Sequence, residues 1–360
     1  MKIAQICPRY FPDIGGVETH VKEISERLVL AGHEVEVITT DSGGKLNKRD
    51  MINGVKVTRF RSFAPGNAYY VSPQIYVYLK KQNYDVIHAH SYHALPAFFA
   101  AMGKCEGKFV FTPHYHRSGH TAFRNLLHKP YRFFGKLIFS RADTVICVSE
   151  FEKRLVEADF KVAGKTVKIP NGINLKEFEH LNRKQNTNGE KILLYVGRLE
   201  EYKGVQYIVQ SLPELQEFRL RVVGKGPYEE ELRNMAERLG VTERIEWLKD
   251  LSRKELLECY ASADVFLMLS SHEAYGITVA ESLAAGTPCV VAQGSALEEF
   301  VDGINCVGIE SPVMPDKIIK KLNEFKEIAD MKRYNSKKLL MDWAKVTNEI
   351  LRSYEEMREH

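Results

Sequence analysis

Two glutamates with seven residues between them offer the clearest chemistry in this chain. Glu273 and Glu281 stand in the segment Ser270–Glu281, the first predicted on a loop and the second about one turn into a helix. A carboxylate accepts two hydroxyl hydrogen bonds well, so each glutamate suits a vicinal diol. Between them, Gly276 and Ile277 fall where a helix N-terminus offers unpaired backbone N–H groups, which attract phosphate. A nucleotide sugar has these groups in this order: the diol of the ribose, the diphosphate and the diol of the sugar. The pair of glutamates alone is equally compatible with a surface loop that leads into an ordinary helix capped by acidic residues.

Two cations follow the first predicted strand of the second half. Arg198 and Lys203 lie five residues apart in Gly197–Gly204. Fixed cations at such a place stabilise the negative charge that grows on a departing diphosphate. Most Arg and Lys side chains are instead solvated on the surface, but the position directly after a strand favours a functional pair.

Glycines after two predicted strands would let a ligand approach the backbone closely. Gly15 and Gly16 follow the first strand and open a helix, where a phosphate could bind. Packing needs alone would explain these two glycines equally well. Gly224 lies in Val222–Pro227, which is similar to half of a dinucleotide fingerprint, but Glu229 replaces its third glycine. This departure argues against a nicotinamide enzyme.

Histidines form two groups, within residues 88–93 and 114–120. Imidazoles are common zinc ligands, so a metal site must be considered. However, His88 and His90 share one face of a short strand, and no carboxylate or thiol set accompanies them, so no metal is predicted. We expect these two to be core histidines with satisfied hydrogen bonds, whereas His114, just past a strand end, is placed to contact a substrate hydroxyl.

The charge of the chain is unevenly divided. Residues 1–170 contain 25 Lys and Arg against 15 Asp and Glu, a net charge of +10, whereas residues 171–360 contain 26 against 32, a net charge of −6. A basic first half suggests an anionic partner, and Phe123–Phe139 mixes aromatic, apolar and basic residues as a membrane-surface segment does. Complementary domain interfaces and a core helix with snorkelling cations are the plainer explanations. No RNA- or DNA-binding motif occurs, so nucleic acid is not expected.

Length and composition indicate a globular protein of two domains. The chain has 360 residues, of which 44% are hydrophobic and 27% charged, as in soluble proteins of this size. No uninterrupted apolar run reaches the roughly 18 residues of a membrane span, and the first residues read as a strand rather than a signal peptide. Six scattered cysteines without a C-x-x-C predict buried free thiols in a reducing compartment.

Short apolar strands that alternate with helical patterns predict two parallel, doubly wound α/β sheets. The predicted strands of the first half are Lys2–Cys7, Glu34–Thr39, Val55–Phe60, Val86–His90, Lys108–Thr112 and Thr144–Val148. Those of the second half are Lys191–Val196, Arg219–Val223, Ile245–Leu248, Val265–Leu269 and Pro288–Val291. A Pro-Asn-Gly turn separates the halves, so the predicted domains are 1–168 and 169–340, with 341–360 as a helix that crosses back to the first. Ligands bind such sheets at the carboxyl ends of their strands.

Taken together, these motifs resemble family 4 of the retaining glycosyltransferases. The matching segments run in the family's order over nearly the whole chain: Gly15–Glu18, Val145–Ser149, Ile169–Ile173, Gly197–Gly204, Val223–Pro227, Ala263–Leu267 and Glu273–Glu281. The resemblance implies the GT-B fold, with two facing Rossmann-like domains. Gly15–Glu18 together with Phe111–His114 is similar to the subgroup that glycosylates lipids such as phosphatidylinositol.

The resemblance also implies roles for side chains. Glu281 would bind the donor ribose, and Glu273 would hold the hydroxyls of the donor sugar. Arg198 and Lys203 would bind the diphosphate. His114 would contact the donor sugar near the reaction centre.

Backbone groups would complete this implied donor site. Amides at Gly276 and Ile277 would assist at the diphosphate, and Leu251 would present its backbone to the base. Lys249 stands where the family usually has a glycine, which leaves the choice between UDP and GDP open. The other implied donor-binding positions are Gly15, Gly16, Gly197, Gly224, Tyr275 and Thr278.

The implied function is that of a metal-independent retaining hexosyltransferase that needs no cofactor. It would move a hexose or N-acetylhexosamine from a nucleotide sugar to a hydroxyl of a sugar, lipid or glycolipid acceptor. The absence of an Asp-x-Asp motif is consistent with metal independence. We expect a cytoplasmic protein whose basic first domain contacts the membrane face. A nucleotide-sugar epimerase and a binding protein without activity are the two alternatives.

Overall fold

The computed structural model describes residues 1–104, 106–117, 122–179, 181, 190–329 and 340–356, with the backbone alone described for 67, 122–130 and 325–329. The chain divides into two compact units, Met1–Gly172 with Asp342–His360, and Ile173–Met341. The divisions therefore fall after Gly172 and Met341, whereas the sequence predicted them after residues 168 and 340. Each unit is an α/β structure built on one sheet.

The first unit is built on an eight-stranded sheet. Its strands are β1 (Lys2–Ile6), β2 (Glu34–Asp41), β3 (Arg49–Ile52), β4 (Val55–Arg61), β5 (Val86–His90), β6 (Lys108–Thr112), β7 (Thr144–Cys147) and β8 (Thr166–Lys168). Their order is β3-β4-β2-β1-β5-β6-β7-β8, and β3 runs antiparallel to β4. The chain moves outward from β1 to β2 and β4, then returns to β5 on the other side of β1. The strand order thus reverses between β1 and β5, where ligands of doubly wound sheets bind.

Helices connect the parallel strands of the first unit. They are α1 (Gly16–Leu30), α2 (Gln74–Leu79), α3 (Pro96–Gly103), α4 (Ala122–Arg141) and α5 (Glu150–Phe160). In α1, the buried residues Val21, Ile24 and Leu28 recur at helical spacing and form the face that packs on the sheet. The helix ends because Gly32 adopts a left-handed conformation, with a φ of 87°.

The second unit repeats this architecture with six strands. They are β9 (Lys191–Val196), β10 (Phe218–Val223), β11 (Ile245–Leu248), β12 (Val265–Met268), β13 (Cys289–Ala292) and β14 (Cys306–Ile309). The helices are α6 (Val205–Ser211), α7 (Glu229–Arg238), α8 (Arg253–Ser262), α9 (Ile277–Ala284) and α10 (Pro315–Ala329). The strand order β11-β10-β9-β12-β13-β14 reverses between β9 and β12.

The C-terminal helix α11 (Trp343–Glu356) belongs to the first unit, where it contacts α1. Its buried residues Trp343, Val346, Ile350 and Tyr354 lie at helical spacing. The Tyr354 hydroxyl hydrogen-bonds Nδ1 of His88 at 2.7 Å. A buried polar contact of this kind fixes the position of the helix on the sheet, since a mispositioned helix would leave the hydroxyl unpaired.

Several elements differ from the sequence-based expectation. Helix α2 begins only at Gln74, because Pro73 disfavours helical geometry in the residue before it. The strands β3, β8 and β14 were not predicted, since each is short and only partly apolar or lies at a sheet edge. The segment Ala296–Phe300 is a 3₁₀ helix. Five cysteines are buried free thiols as predicted, and Cys105 lies outside the described residues.

Helix α4 covers the Phe123–Phe139 segment that was considered for membrane contact. Of its described side chains, Tyr131, Ile138 and Phe139 are buried in the core of the first unit, whereas Phe133 is exposed. The segment is therefore in part a core helix, and membrane contact stays a prediction. Among the helices in the described ranges, none is both long and apolar enough to span a membrane.

Glu36, on β2, has a buried carboxylate that contacts side chains of neighbouring segments in the first unit. Glu36 accepts hydrogen bonds from the hydroxyls of Thr58 (2.6 Å), Tyr84 (2.6 Å) and Tyr78 (2.8 Å), and it pairs with Nζ of Lys56 at 3.0 Å. Burial raises the pKa of Glu36, but the four partners outweigh burial and hold the pKa below its usual value. The ionised carboxylate therefore stabilises the fold.

Replacing Glu36 with Gln should destabilise the protein, because the amide leaves buried hydroxyl donors unpaired at a cost of about 1–3 kcal/mol. Since the folded-state pKa is lowered, the carboxylate contributes fully above its unfolded pKa of about 4.3. This contribution is lost as the pH falls through the folded-state pKa. Urea unfolding should give a lower free energy of unfolding for Glu36→Gln than for the wild type at pH 7, and this difference should become smaller at acid pH. Glu34→Gln, at an exposed position of the same strand, is the matched control. A difference in unfolding free energy that does not change with pH would contradict the stabilising role of the ionised carboxylate.

Candidate active site

Two loops flank the point where the strand order of the second sheet reverses. One follows β9 and contains Gly197–Gly204; the other follows β12 and contains Ser270–Gly276. The backbone N–H of Ser271 donates to the carbonyl of Tyr202 at 3.0 Å, so the two loops are in direct contact. Side chains from both loops therefore meet at the carboxyl edge of this sheet, as the sequence predicts for a ligand site.

Lys203 and Glu273 form an ion pair between these loops. Nζ of Lys203 lies 2.5 Å from Oε1 of Glu273, and the two side chains are only 14% and 17% exposed. Burial lowers the pKa of Lys203, but the Glu273 carboxylate outweighs burial and the pKa is raised above its ordinary value. The lysine is therefore a cation in a largely desolvated position, where its attraction for phosphate oxygens is strong.

Arg198, the other predicted cation, is arranged differently. Its side chain is 65% exposed, and its guanidinium binds the carboxylate of Glu200 in the same loop. The structure thus brings Lys203, and not Arg198, into contact with Glu273. A solvated arginine on a loop can reorient toward an anionic ligand, at the cost of its weak exposed ion pair.

Helix α9 begins at the predicted phosphate site. Gly276 is its N-cap residue with a φ of 112°, and Ile277 and Thr278 are its first two residues. The first amides of an α-helix have no acceptor within the helix and attract anions. A Cβ atom at Gly276 would lie 2.6 Å from Cδ2 of Leu297. Glycine is therefore required at this position by both conformation and space.

Glu281 lies in α9 with its side chain nearly buried and held by two partners. Nη1 of Arg253 donates to Oε1 of Glu281 at 2.6 Å, and the hydroxyl of Tyr260 donates to Oε2 at 3.0 Å. Arg253 also pairs with Glu177 at 2.7 Å. Burial lowers the pKa of Arg253, but the two carboxylates outweigh burial and raise the pKa. The Glu281 carboxylate is thus held in a fixed orientation, and each oxygen retains a lone pair for a ligand hydroxyl.

Arg253 is a candidate site residue that the sequence reasoning missed. It is the first residue of α8, which starts after a capping box: Oγ of Ser252 accepts from the amide of Glu255, whose carboxylate accepts from the amide of Ser252 at 2.7 Å. The Ser-x-x-Glu pattern is visible in the sequence and predicts this helix start. It could have located Arg253, though not its pairing with Glu281, which depends on tertiary packing.

The loop that was expected to meet the base has a charged surface. Nζ of Lys249, at the position where the family usually has glycine, pairs with the carboxylate of Glu229 at 2.8 Å. Leu251 is partly buried against the hydrophobic core of the second unit. Tyr275 likewise packs on the ring of Phe300, with ring centroids 5.2 Å apart. These contacts hold in place the backbone of the loop that contains Lys249 and Leu251 and the backbone of the loop that contains Tyr275.

At two of the predicted donor-binding positions, packing within the fold is enough to explain why the residue is glycine. Gly224 has a φ of 145°, and a Cβ atom there would lie 1.9 Å from the carbonyl oxygen of Gly197. The backbones after β9 and β10 thus touch each other directly. Close backbone packing explains the half-fingerprint at Val222–Pro227, so a role for Gly197 and Gly224 toward the donor stays a prediction.

In the first unit, Gly15 and Gly16 open α1 as predicted. Gly15 is the N-cap residue, and a Cβ atom there would lie 2.4 Å from Oε2 of Glu18. The Glu18 carboxylate binds Arg9 at 2.7 Å. The glycine therefore makes room for this ion pair beside the helix N-terminus.

Buried polar side chains also lie on the sheet of the first unit. His88, on β5, is bonded through both ring nitrogens, to Tyr354 and to Oγ1 of Thr112, each at 2.7 Å. This agrees with the expected satisfied core histidine. His90 differs, because Nε2 bonds Oε1 of Gln5 at 2.7 Å while its buried Nδ1 has no hydrogen-bond partner in the described part of the chain. Burial lowers the pKa of both histidines well below the ordinary value, so both are neutral at pH 7.

The structure brings His20 and His114 to His90 from two other elements. His20 lies on α1, and its ring is 5.3 Å from the rings of both His90 and His114, centroid to centroid. Nδ1 of His20 bonds Oδ1 of Asn171 at 2.7 Å, and burial lowers the pKa of His20 to about 4. Spacing along one strand does not reveal this three-histidine cluster, because its members lie on or after three different elements. His116 belongs to a different ring pair, and His120 lies outside the described residues.

Comparison with known proteins places both units in glycosyltransferase families. Residues 14–177 match the family described as Glycosyltransferase Family 4, and residues 177–338 match Glycosyl transferases group 1. The chain is 32% identical to an uncharacterized glycosyltransferase of Methanocaldococcus jannaschii, over 88% of this chain and 87% of that protein. It is 28% identical to the alpha-monoglucosyldiacylglycerol synthase of Streptococcus pneumoniae, over 82% and 71%. It is 27% identical to the phosphatidyl-myo-inositol mannosyltransferase of Mycobacterium tuberculosis, over 99% and 97%.

Solved structures share the fold. The chain resembles the sucrose-phosphate synthase of Thermosynechococcus elongatus with a TM-score of 0.82 at 19% identity, covering 99% of both chains. It resembles the Anabaena protein HepE, solved in complex with UDP-glucose, with a TM-score of 0.76 at 18% identity, covering 99% of this chain and 100% of that one. These likenesses confirm the predicted GT-B fold of two Rossmann-like units.

Gly276→Ala should destabilise the second unit more than an alanine at an open glycine position. Gly240 also has a positive φ of 67°, but a Cβ atom there meets nothing within 4 Å. Gly240→Ala should therefore cost only the left-handed strain of about 1–2 kcal/mol. Gly276→Ala adds a clash with Leu297 and should cost about 1–3 kcal/mol more. Urea unfolding midpoints would measure both, and equal losses would contradict the steric argument.

Proposed function

Because the chain belongs to family 4 of the glycosyltransferases, we propose that it transfers a hexose or N-acetylhexosamine from a nucleotide-diphosphate sugar with retention of anomeric configuration. The observation that carries this proposal is the desolvated Lys203–Glu273 pair, with Nζ and Oε1 2.5 Å apart on the loops that flank the strand reversal. The helix N-terminus at Gly276 and the buried carboxylate of Glu281 follow in the same segment. Cation, helix N-terminus and two carboxylates are the groups that a nucleotide sugar requires.

The donor would bind along this segment through its ribose and its diphosphate. Glu281, oriented by Arg253 and Tyr260, would accept hydrogen bonds from the two ribose hydroxyls. The amides at Ile277 and Thr278 would donate to the diphosphate, together with Lys203 and a reoriented Arg198. HepE, a protein of the same fold, was solved with UDP-glucose, which supports a UDP-linked donor; GDP is the alternative that Lys249 leaves open.

Lys203 would act in the bond-breaking step. As the bond between the anomeric carbon and the phosphate oxygen breaks, negative charge grows on the leaving diphosphate. The attraction of Lys203 for this charge competes with its attraction for Glu273, so the pair loosens as the carboxylate turns to the hydroxyls of the sugar. The acceptor oxygen attacks from the face that the diphosphate leaves, and its proton passes to the departing phosphate oxygen. We propose that no metal ion serves at the diphosphate, because Lys203, Arg198 and the helix N-terminus supply its counter-charge.

His114 is proposed to bind a hydroxyl of the donor sugar. Its Nε2 is buried without a hydrogen-bond partner in the described structure. Its backbone has a positive φ of 47°, which is uncommon for a residue with a side chain. Such strain at a non-glycine residue is often found where a side chain must be held for function.

A lipid or glycolipid is the proposed acceptor. Two relatives that the chain matches over most of its length are named for lipid acceptors, diacylglycerol glycoside synthesis in one and phosphatidyl-myo-inositol in the other. The net charge of +10 on residues 1–170 supports an anionic lipid surface as the place of action. We place the protein at the cytoplasmic face of a membrane on the same grounds, with peripheral contact through the first unit.

The function is tested by incubating the protein with UDP- and GDP-linked hexoses and N-acetylhexosamines, with and without vesicles of phosphatidylinositol or diacylglycerol. We expect donor turnover that depends on the acceptor and a product with the donor's anomeric configuration. Lys203→Ala should lower kcat by about 10²–10³, as loss of one charge-stabilising group does. Lys320→Ala, an exposed lysine on α10, should keep wild-type activity.

Three outcomes would reject parts of this assignment. Undiminished turnover by a folded Lys203→Ala protein would exclude the role of Lys203. If the alanine variant does not fold, Lys203→Arg tests whether a positive charge at this position is sufficient for turnover. Epimerised donor without acceptor would identify an epimerase. Tight donor binding without turnover in any combination would identify a binding protein.

Glu281→Gln should weaken nucleotide binding, because an amide accepts hydrogen bonds from a diol less well than a carboxylate. Hydrogen bonds to charged groups contribute about 1.5–3 kcal/mol, so we expect an affinity loss of about 10–100-fold. Thermal shifts with uridine, guanosine and adenosine diphosphates would measure the loss and identify the best nucleotide. Glu230→Gln, an exposed position on α7, is the control. Equal shifts in the wild type and Glu281→Gln would exclude ribose binding by Glu281.

A further inference from the structure

Three histidines of the first unit meet at the carboxyl edge of its sheet. His20 lies on α1, which follows β1; His90 ends β5; and His114 lies just beyond β6. One ring nitrogen from each lies within 4.8 Å of the other two. A zinc ion with three imidazole ligands at about 2.0–2.1 Å needs nitrogen separations of about 3.4 Å. Side-chain shifts on the order of 1 Å therefore suffice to form a three-histidine site.

Each of the three rings has one nitrogen without a hydrogen-bond partner among the described residues. These nitrogens are Nε2 of His20, Nδ1 of His90 and Nε2 of His114, all of them buried and without a hydrogen bond to any residue that the structure describes. Buried polar atoms are nearly always paired, so each such atom requires an explanation. Three of them in one cluster of rings have a common explanation if one ion accepts all three lone pairs.

Neighbouring amides determine which nitrogen carries the lone pair in two of the three rings, those of His20 and His90. Nδ1 of His20 lies 2.7 Å from Oδ1 of Asn171, and Nε2 of His90 lies 2.7 Å from Oε1 of Gln5. An amide oxygen only accepts, so each of these ring nitrogens carries the proton, and the opposite nitrogen carries the lone pair. The amide group of Gln5 donates to the hydroxyl of Tyr354 at 3.2 Å, which fixes its orientation. Histidines that bind metals are held by outer contacts of this kind.

We propose that His20, His90 and His114 form a binding site for a divalent transition-metal ion such as Zn²⁺, Co²⁺ or Ni²⁺. Imidazole ligands suit these ions, whereas Mg²⁺ and Ca²⁺ prefer oxygen ligands. Three protein ligands leave a fourth position for water or another ligand. The site is formed by the first unit alone and is separate from the residues proposed to bind the diphosphate. Because His114 is also proposed to contact the donor sugar, a bound ion and the donor would compete for its Nε2.

Metal binding is measurable whether or not the transfer reaction is found. The full chain, freed of metal with a chelator, would be titrated with Co²⁺ in the absence of nucleotide sugar. We expect one equivalent of Co²⁺ per chain, with the visible absorption of a four-coordinate ion that has nitrogen ligands, and displacement of Co²⁺ by Zn²⁺. A large excess of Mg²⁺ should neither produce nor reduce this signal.

Variants assign the site. His20→Phe and His114→Phe keep an aromatic ring but remove a ligand, and each should abolish the Co²⁺ absorption. Asn171→Ala keeps all three ligands and should weaken binding by about 10–100-fold, as loss of an outer contact does. His33→Gln, elsewhere in the first unit, is the matched control and should bind as the wild type does. Circular dichroism would confirm that each variant is folded.

Several results would overturn the proposal. One is a wild-type protein that binds no Co²⁺ or Zn²⁺, which would show that the three rings only pack together. Another is unchanged binding in a folded His20→Phe or His114→Phe protein. If these variants do not fold, anomalous diffraction from Co²⁺-soaked crystals of the wild type decides the question, and an ion located away from His90 would reject the site.

Discussion

The reversal of strand order in each parallel sheet is the constraint on which the rest of this structure depends. At such a point two neighbouring strands send their connections to opposite faces, which leaves a crevice at their carboxyl ends. Polar side chains on the loops at these ends can approach one another without being covered by a helix. The second unit places Lys203 and Glu273 there, and the first unit places its three-histidine cluster at the corresponding edge. One backbone arrangement thus provides two different chemical environments.

The two glutamates that are proposed to bind the donor each have a cationic partner in the second unit. Glu273 is paired with Lys203, and Glu281 with Arg253. A buried carboxylate without a partner would be expensive or would take up a proton. Each pair therefore keeps its carboxylate ready to accept hydroxyl hydrogen bonds, and keeps a cation where a diphosphate would need one. A ligand that carries both hydroxyls and negative charge exchanges partners within these pairs, so little charge has to be desolvated anew on binding.

The sequence predicted the fold and the loop positions well because both follow from local rules. Strands such as Lys191–Val196 and Ile245–Leu248 are short apolar runs with polar ends, and the structure has them at the predicted bounds. The start of α9 at Gly276 follows from a glycine before a helical pattern. The short antiparallel strand β3 was not predicted, because its exposed residues alternate with half-buried ones and form no apolar run. Its existence depends on pairing with β4.

Side-chain pairings were harder to predict than positions, because they depend on distant segments. Arg253 meets Glu281 across 28 residues, and Glu177 across 76. His20, His90 and His114 are brought together by three different elements, so no spacing along one strand or helix could reveal their cluster. The expectation that His90 is a satisfied core histidine was half right for the same reason: Gln5 satisfies one nitrogen, and tertiary structure leaves the other facing two further rings.

The C-terminal helix shows how a distant element determines the state of a histidine. Tyr354 of α11 bonds both His88 and Gln5. Because its hydroxyl accepts from the amide group of Gln5, the amide oxygen must face His90, and this forces the proton of His90 onto Nε2. A packing contact at the end of the chain therefore decides which nitrogen of a histidine on β5 carries a lone pair. Any chemistry at that nitrogen requires α11 to be docked on the first unit, so the final helix contributes to the properties of this histidine as well as to the stability of the fold.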